Sequence, residues 1–141
     1  MGIDFSKIEN LKAIRVAKSE LSKRETEISR PLLDDLSQIQ TVYNIFSYLI
    51  NGEKDNRVVQ RKKFIFIAMY LFSPISLVGN KTQKGVREEI GKVLEMRSKS
   101  TISNNLREVT FQYKTYAKLR NDIDTLFGKI VEELKAKELI K

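Results

Sequence analysis

Nine consecutive residues, Phe64-Ile65-Phe66-Ile67-Ala68-Met69-Tyr70-Leu71-Phe72, carry neither a charge nor a turn former. Wound into a helix, such a run is apolar on most faces, and a helix of that kind is stable only when other elements surround it. It is too short to span a bilayer, which takes about 20 residues. The run therefore predicts a central core helix from about Val58 to Phe72. Ser73-Pro74 ends it, because the proline ring disfavours helical geometry at the residue before it. Apolar residues recur at helical spacing almost everywhere else, strand-like alternation is scarce, and the chain has only 2 prolines. The fold class expected is all-α.

The neighbours of the core helix can be read from their stripes. Leu32, Leu36, Ile39, Tyr43, Phe46 and Ile50 follow a four-three-four-three-four spacing on a helix starting near Pro31 and stopping at Asn51-Gly52. Upstream, Ile8, Leu11, Ile14, Ala17, Leu21 and Ile28 mark a charged helix from about Ser6 to Ser29, its stripe interrupted by Lys18 and Glu25. Residues 1–52 are expected to form an N-terminal helical segment that either completes the core or joins two subunits in a homo-oligomer. The polar connection Glu53-Lys54-Asp55-Asn56-Arg57 separates it from a second domain over residues 57–141. Arg57, Arg61, Lys62 and Lys63 are expected on the exposed first turns of the core helix. Val78 to Gly85 reads as a basic loop, and Leu119, Ile123, Leu126, Phe127, Ile130, Val131 and Leu134 define a last amphipathic helix.

Between them, Glu89 to Ile102 has the pattern of a helix-turn-helix. Gly91 falls where a small residue lets a second helix cross closely, and Ile90, Leu94 and Ile102 supply apolar contacts. The first helix is expected over about Val86 to Met96 and the second from Ser100 or Thr101 to Tyr113. Arg97-Ser98-Lys99 forms the turn between them, with Ser100 as N-cap.

Charge and composition narrow the function. Residues 51–120 carry 15 Lys and Arg against 6 Asp and Glu, while residues 1–50 balance at 7 against 7 and residues 121–141 carry 4 against 5. The net +8 is thus concentrated around the helix-turn-helix, where a densely anionic partner would release counterions on binding. With no cysteine and no histidine, the chain lacks disulfides, thiol nucleophiles, histidine bases and the usual zinc ligands. No metal, cofactor or enzymatic activity is expected. The N-terminus lacks a basic region followed by an apolar core, so a cytoplasmic protein without membrane attachment is expected.

Residues 67–107 resemble the C-terminal DNA-binding domain of the bacterial replication initiator DnaA, a helix-turn-helix of the Trp-repressor type. Ile67-Ala68-Met69-Tyr70-Leu71 repeats a core helix common in that family. In the second matching piece, Ile90-Gly91, Leu94, Glu95-Met96 and Arg97-Ser98-Lys99-Ser100-Thr101-Ile102 keep the register of the family's Ile-Gly, aromatic, glycine pair and Arg-Asp-His-x-Thr-Val. The resemblance implies Arg97 and Thr101 as contact positions. Ser98 and Lys99 replace the family's Asp-His pair, so the initiator's own target is not implied. Gly79-Asn80-Lys81-Thr82-Gln83-Lys84-Gly85 does not satisfy the phosphate-cradling Gly-x-x-x-x-Gly-Lys-[Ser/Thr] pattern, and no ATPase is implied. More distantly, Arg61 to Leu134 resembles small proteins carried by phages and mobile elements.

A non-enzymatic protein binding double-stranded DNA, a regulator of transcription or replication, is the expectation that follows. The interface would comprise Arg97, Ser98, Lys99, Ser100, Thr101, Ser103, Asn104 and Arg107, with Lys81 and Lys84 from the preceding loop. Ser100, Thr101, Asn104 and Lys99 would reach base edges, while Arg97, Lys99 and Arg107 would hold phosphates. Arg61, Lys62 and Lys63 would extend the basic field. The competing expectation is a helical phage structural or assembly protein whose basic surface meets a protein or contacts nucleic acid without sequence readout.

Overall fold

The structure, a computed structural model, describes residues 1–53 and 55–141; Lys54, in the polar connection singled out above, lies outside the described residues. The described residues form six α-helices and one short 3-10 segment, with no strand among them. They fall into two compact units, Met1–Arg30 and Pro31–Lys141.

The first unit is one helix, α1 (Phe5–Ile28), capped by Asp4, whose carboxylate accepts from the Ser6 N–H at 3.0 Å and from the Ser6 hydroxyl at 2.5 Å. None of its residues is buried.

In the second unit, α2 (Gln38–Leu49), α4 (Val86–Leu94), α5 (Lys99–Thr115) and α6 (Ala117–Ala136) surround α3 (Arg57–Phe72). Every residue of α3 from Lys63 to Phe72 except Tyr70 is buried, as the apolar run demands. Asn56 starts this helix, its side chain accepting from the Val59 N–H at 2.9 Å. The unit boundary at Arg30 and Pro31, rather than at 52 to 57, has a plain cause. Helix α2 buries Ile39, Val42, Ile45 and Phe46 and packs against α3, α4 and α6, so it belongs to the core.

Helix α2 also begins seven residues later than Pro31. The Leu33 N–H donates to the Leu71 carbonyl at 3.1 Å, which buries Leu33 beneath the end of α3 and holds the chain out of helix. Asp35 then makes a local turn, accepting from the Ser37 N–H at 3.0 Å and the Ser37 hydroxyl at 2.7 Å. Those two bonds hold the Asp35 carboxyl below its usual range, the hydroxyl contributing most. Leu32, placed on the stripe by spacing, is exposed and Leu33 takes its place.

Lys63, expected on an exposed first turn of α3, is buried. Only 1% exposed, it reaches Asp55 Oδ2 at 2.5 Å and lies 3.8 Å from Asp122 Oδ2, tying the start of α3 to α6. Lys62 is likewise engaged, pairing with Glu108 of α5 at 2.9 Å. The basic field expected from the first turns of α3 is thus partly consumed within the fold.

After α3, the 3-10 segment Pro74–Val78 leads into residues 79–85. Gly85, at φ +89°, closes this segment against the turn before α2, where an added Cβ would lie 2.6 Å from Leu36 Cδ1. A left-handed φ in so tight a place selects glycine.

Candidate nucleic-acid interface

The geometry of the α4–α5 corner follows from its backbone. Helix α4 stops at Leu94 because Glu95 turns left-handed, at φ 57° and ψ 39°, without a glycine's freedom to do so. The Met96 N–H then returns to the Gly91 carbonyl at 2.8 Å and the Glu95 N–H to the Lys92 carbonyl at 3.3 Å. This six-to-one plus inner bond is the Schellman pattern of helix ends. The returning chain passes directly over Gly91, where a Cβ would lie 2.6 Å from the Met96 carbonyl oxygen and 3.4 Å from Ile102 Cδ1. Gly91 is therefore required by the turn itself, and the close passage brings Ile102 onto Ile90 and Leu94 within one buried cluster.

Helix α5 starts at Lys99, and its N-cap is Ser98, whose hydroxyl accepts from the Thr101 N–H at 3.3 Å. Ser100 is displaced from that role because α4 ends two residues early and the turn closes sooner. With the cap at Ser98, Ser100 and Thr101 stand exposed on the first turn, beside the N-terminal end of the helix dipole. At helical spacing Ser100, Asn104, Arg107 and Phe111 form one exposed line, with Thr101 beside it.

The remaining expected residues divide into free and engaged. Arg97 is exposed in the turn and is in no ion pair among the described residues. Lys99 pairs with Glu88 of α4 at 2.5 Å, and that contact is the main reason the Glu88 carboxyl sits below its usual range. Arg107 donates to the Asn104 side-chain oxygen, so these two act as one polar unit. Ser103 points differently from expected: it is half-buried, and its hydroxyl accepts from the Arg87 guanidinium of α4 at 3.0 Å. Ser103 thereby fastens α5 to α4 and leaves the exposed set.

Lys81 and Lys84 are exposed on a strap whose path is fixed by hydroxyls. Ser73 Oγ lies 2.9 Å from Ser76 Oγ, the Ser76 hydroxyl donates to Thr82 Oγ1 at 3.1 Å, and the Gln83 N–H donates to Ser73 Oγ at 3.1 Å. The strap and the corner thus belong to one packed unit, each exposing cations.

Three features escaped the sequence reading. Arg87 braces α5 from α4, a contact between residues 16 apart that no helical period announces. Glu108, a carboxylate that would repel a phosphate, is neutralised by Lys62. Phe111, 63% exposed, continues the polar line of α5 with an apolar surface that its spacing from Arg107 could have revealed. Between α4 and the start of α5 runs an open groove of about 710 Å³ with Arg87, Lys92, Arg97 and Lys99 against Glu88 and Glu95.

Among the described residues no group of three or more Asp and Glu is placed to hold a metal ion, and no helix is long and apolar enough to cross a membrane. No known protein family, curated protein or solved structure matches the chain.

Proposed function

We propose that the protein is a non-enzymatic DNA-binding protein, a regulator of transcription or replication, in which α4 and α5 act as a helix-turn-helix and the N-terminal end of α5 enters the major groove. The observation that carries this reading is the exposed first two turns of α5. There Ser100, Thr101 and Asn104 present short hydrogen-bonding groups of the kind that read base edges, with Arg107 behind them and the exposed Arg97 in the turn ahead. Asn104 reads adenine edges in this geometry, and Arg97 and Arg107 meet the flanking phosphates. Lys99 exchanges Glu88 for a phosphate. The exposed Lys81 and Lys84 extend contact along the backbone.

Further support comes from the resemblance to the initiator's DNA-binding domain. Glu95 adopts a left-handed backbone at the position where that family carries glycine, and Gly91 stands where the family's Ile-Gly requires a close crossing. The departures at Ser98 and Lys99 give this protein a target of its own. Ser98 serves as a cap in place of a reader.

Selection of bound sequences from a random duplex pool tests the reading. A defined site should emerge, and Thr101→Ala with Asn104→Ala should relax preference at one or two base pairs by about 1–3 kcal/mol each while binding to random duplex persists. Arg97→Ala and Arg107→Ala should weaken binding to every sequence and reduce the slope of log affinity against log salt by about one each. Equal affinity for selected and random duplex would favour the assembly reading, in which the basic surface contacts nucleic acid without readout.

A further inference from the structure

We propose that α1 is a self-association element that pairs antiparallel with α1 of a second copy of the chain. The proposal rests on α1 alone and is independent of DNA binding.

A helix of 24 residues is about 36 Å long, and in isolation such a helix is only marginally stable in water. Helix α1 buries none of its residues, yet it carries Leu11, Ile14, Leu21 and Ile28, each more than half exposed. These belong to two columns of a heptad: Leu11, Lys18 and Glu25 form one, and Lys7, Ile14, Leu21 and Ile28 form the other. The columns define a seam that is apolar except at three charged sites. Those charges select the orientation.

In a parallel, in-register pair, Lys7, Lys18 and Glu25 would each face their own copy, placing like charges together at three levels of the seam. Reversing one helix changes every partner. Of the registers that set one column against the other, the one of greatest overlap is centred on Val16, and it brings Lys7 opposite the second copy's Glu25, Leu11 opposite Leu21, and Ile14 opposite Lys18. Among registers that keep the columns facing, the one of greatest overlap is thus also the one that neutralises Lys7 and Glu25 twice by symmetry. Lys18 lays its methylene stem over the opposing Ile14 and carries its ammonium to the rim. Beside that centre, Ala17 meets its own copy on one flank, where its small side chain permits close approach. Arg15 also meets its own copy, on the other flank, where the guanidinium remains in water.

Sedimentation equilibrium of the full chain without DNA supplies the first test. Two copies of the 16.4 kDa chain are expected to associate, and Leu11→Asp with Leu21→Asp should return the protein to a monomer. Lys7→Glu or Glu25→Lys alone should weaken association by about three- to tenfold, and the two together should restore it. Because the chain has no cysteine, single cysteines report the orientation. Ala17→Cys should cross-link to its own copy, whereas Leu11→Cys should cross-link only when mixed with Leu21→Cys. A monomer up to high micromolar concentration, a dimer indifferent to the aspartates, or Leu11→Cys linking to itself would each overturn the proposal.

Discussion

Replacing Gly91 by alanine tests whether the α4–α5 corner is held by the close passage described above. Inside a helix, glycine to alanine ordinarily stabilises by about 0.8–1 kcal/mol, because alanine has the higher helix propensity. At Gly91 the new Cβ would lie 2.6 Å from the Met96 carbonyl oxygen, whereas carbon and oxygen in ordinary close contact sit about 3.3 Å apart or more. The turn must withdraw by about 0.7 Å relative to that contact distance. The atom in the way is backbone and cannot rotate aside. That movement strains the Met96–Gly91 hydrogen bond, whose loss costs about 1 kcal/mol, and overpacking adds about 1–3 kcal/mol. Net destabilisation of about 1–3 kcal/mol is expected, lowering Tm by roughly 4–12 °C for a domain of this size. Circular dichroism melts of Gly91→Ala and Gly128→Ala together make the comparison sharp. Gly128 lies in α6 with nothing within 4 Å of an added Cβ, so the same substitution there should raise Tm. A Gly91→Ala protein melting at or above the parent temperature would refute the account of the corner.

Three further outcomes follow from the same structure. Glu95→Gly should stabilise by about 1 kcal/mol in urea unfolding, because glycine adopts the left-handed backbone without the Cβ penalty; an unchanged midpoint would show that Glu95 carries no strain. Lys63→Met should be nearly neutral, since its carboxylate partners are 43% and 44% exposed and rehydrate. Asp55→Asn with Asp122→Asn should instead cost about 3 kcal/mol by stranding a buried ammonium, and equal effects in chemical denaturation would contradict this asymmetry. The Tyr113 hydroxyl donates to Asp124 Oδ1 at 2.6 Å, and this bond, with partial burial and the nearby carboxylate charge, raises its pKa. Since the folded pKa lies above the unfolded one, the stabilisation is full below the ordinary tyrosine range and is lost as pH rises through the raised value. In an ultraviolet titration Tyr113 should ionise late, and Asp124→Asn should lower its midpoint; a titration that Asp124→Asn leaves unchanged would contradict the assignment.

What the sequence disclosed depended on whether the determining contact was local. The burial of Phe64 to Phe72 was legible because nine apolar residues in a row leave a helix no polar face except at Tyr70. Gly91 was legible because Ile90, Leu94 and Ile102 surround it at the spacing of a crossing. The start of α2 was not, because it is set by the pairing of Leu33 with Leu71, 38 positions apart, and by a side-chain turn at Asp35 that competes with the helix start at Pro31. Lys63 was misplaced for the same reason, as one of its neutralising carboxylates lies on α6. In the candidate interface, serines at 98, 100 and 103 are equivalent by composition. The left-handed turn at Glu95 decides that the first caps the helix, the second faces out and the third joins Arg87.

The hydroxyl ladder of Ser73, Ser76 and Thr82 separates two properties that loops usually mix. The shape of the strap comes from uncharged groups bonded to one another, while its cations at Lys81 and Lys84 stand exposed and outside that ladder. Charge at those two positions can therefore drift through mutation without rerouting the chain. Under the proposed function, the strap is a place where affinity for an anionic partner can be tuned up or down while the architecture that presents it stays constant.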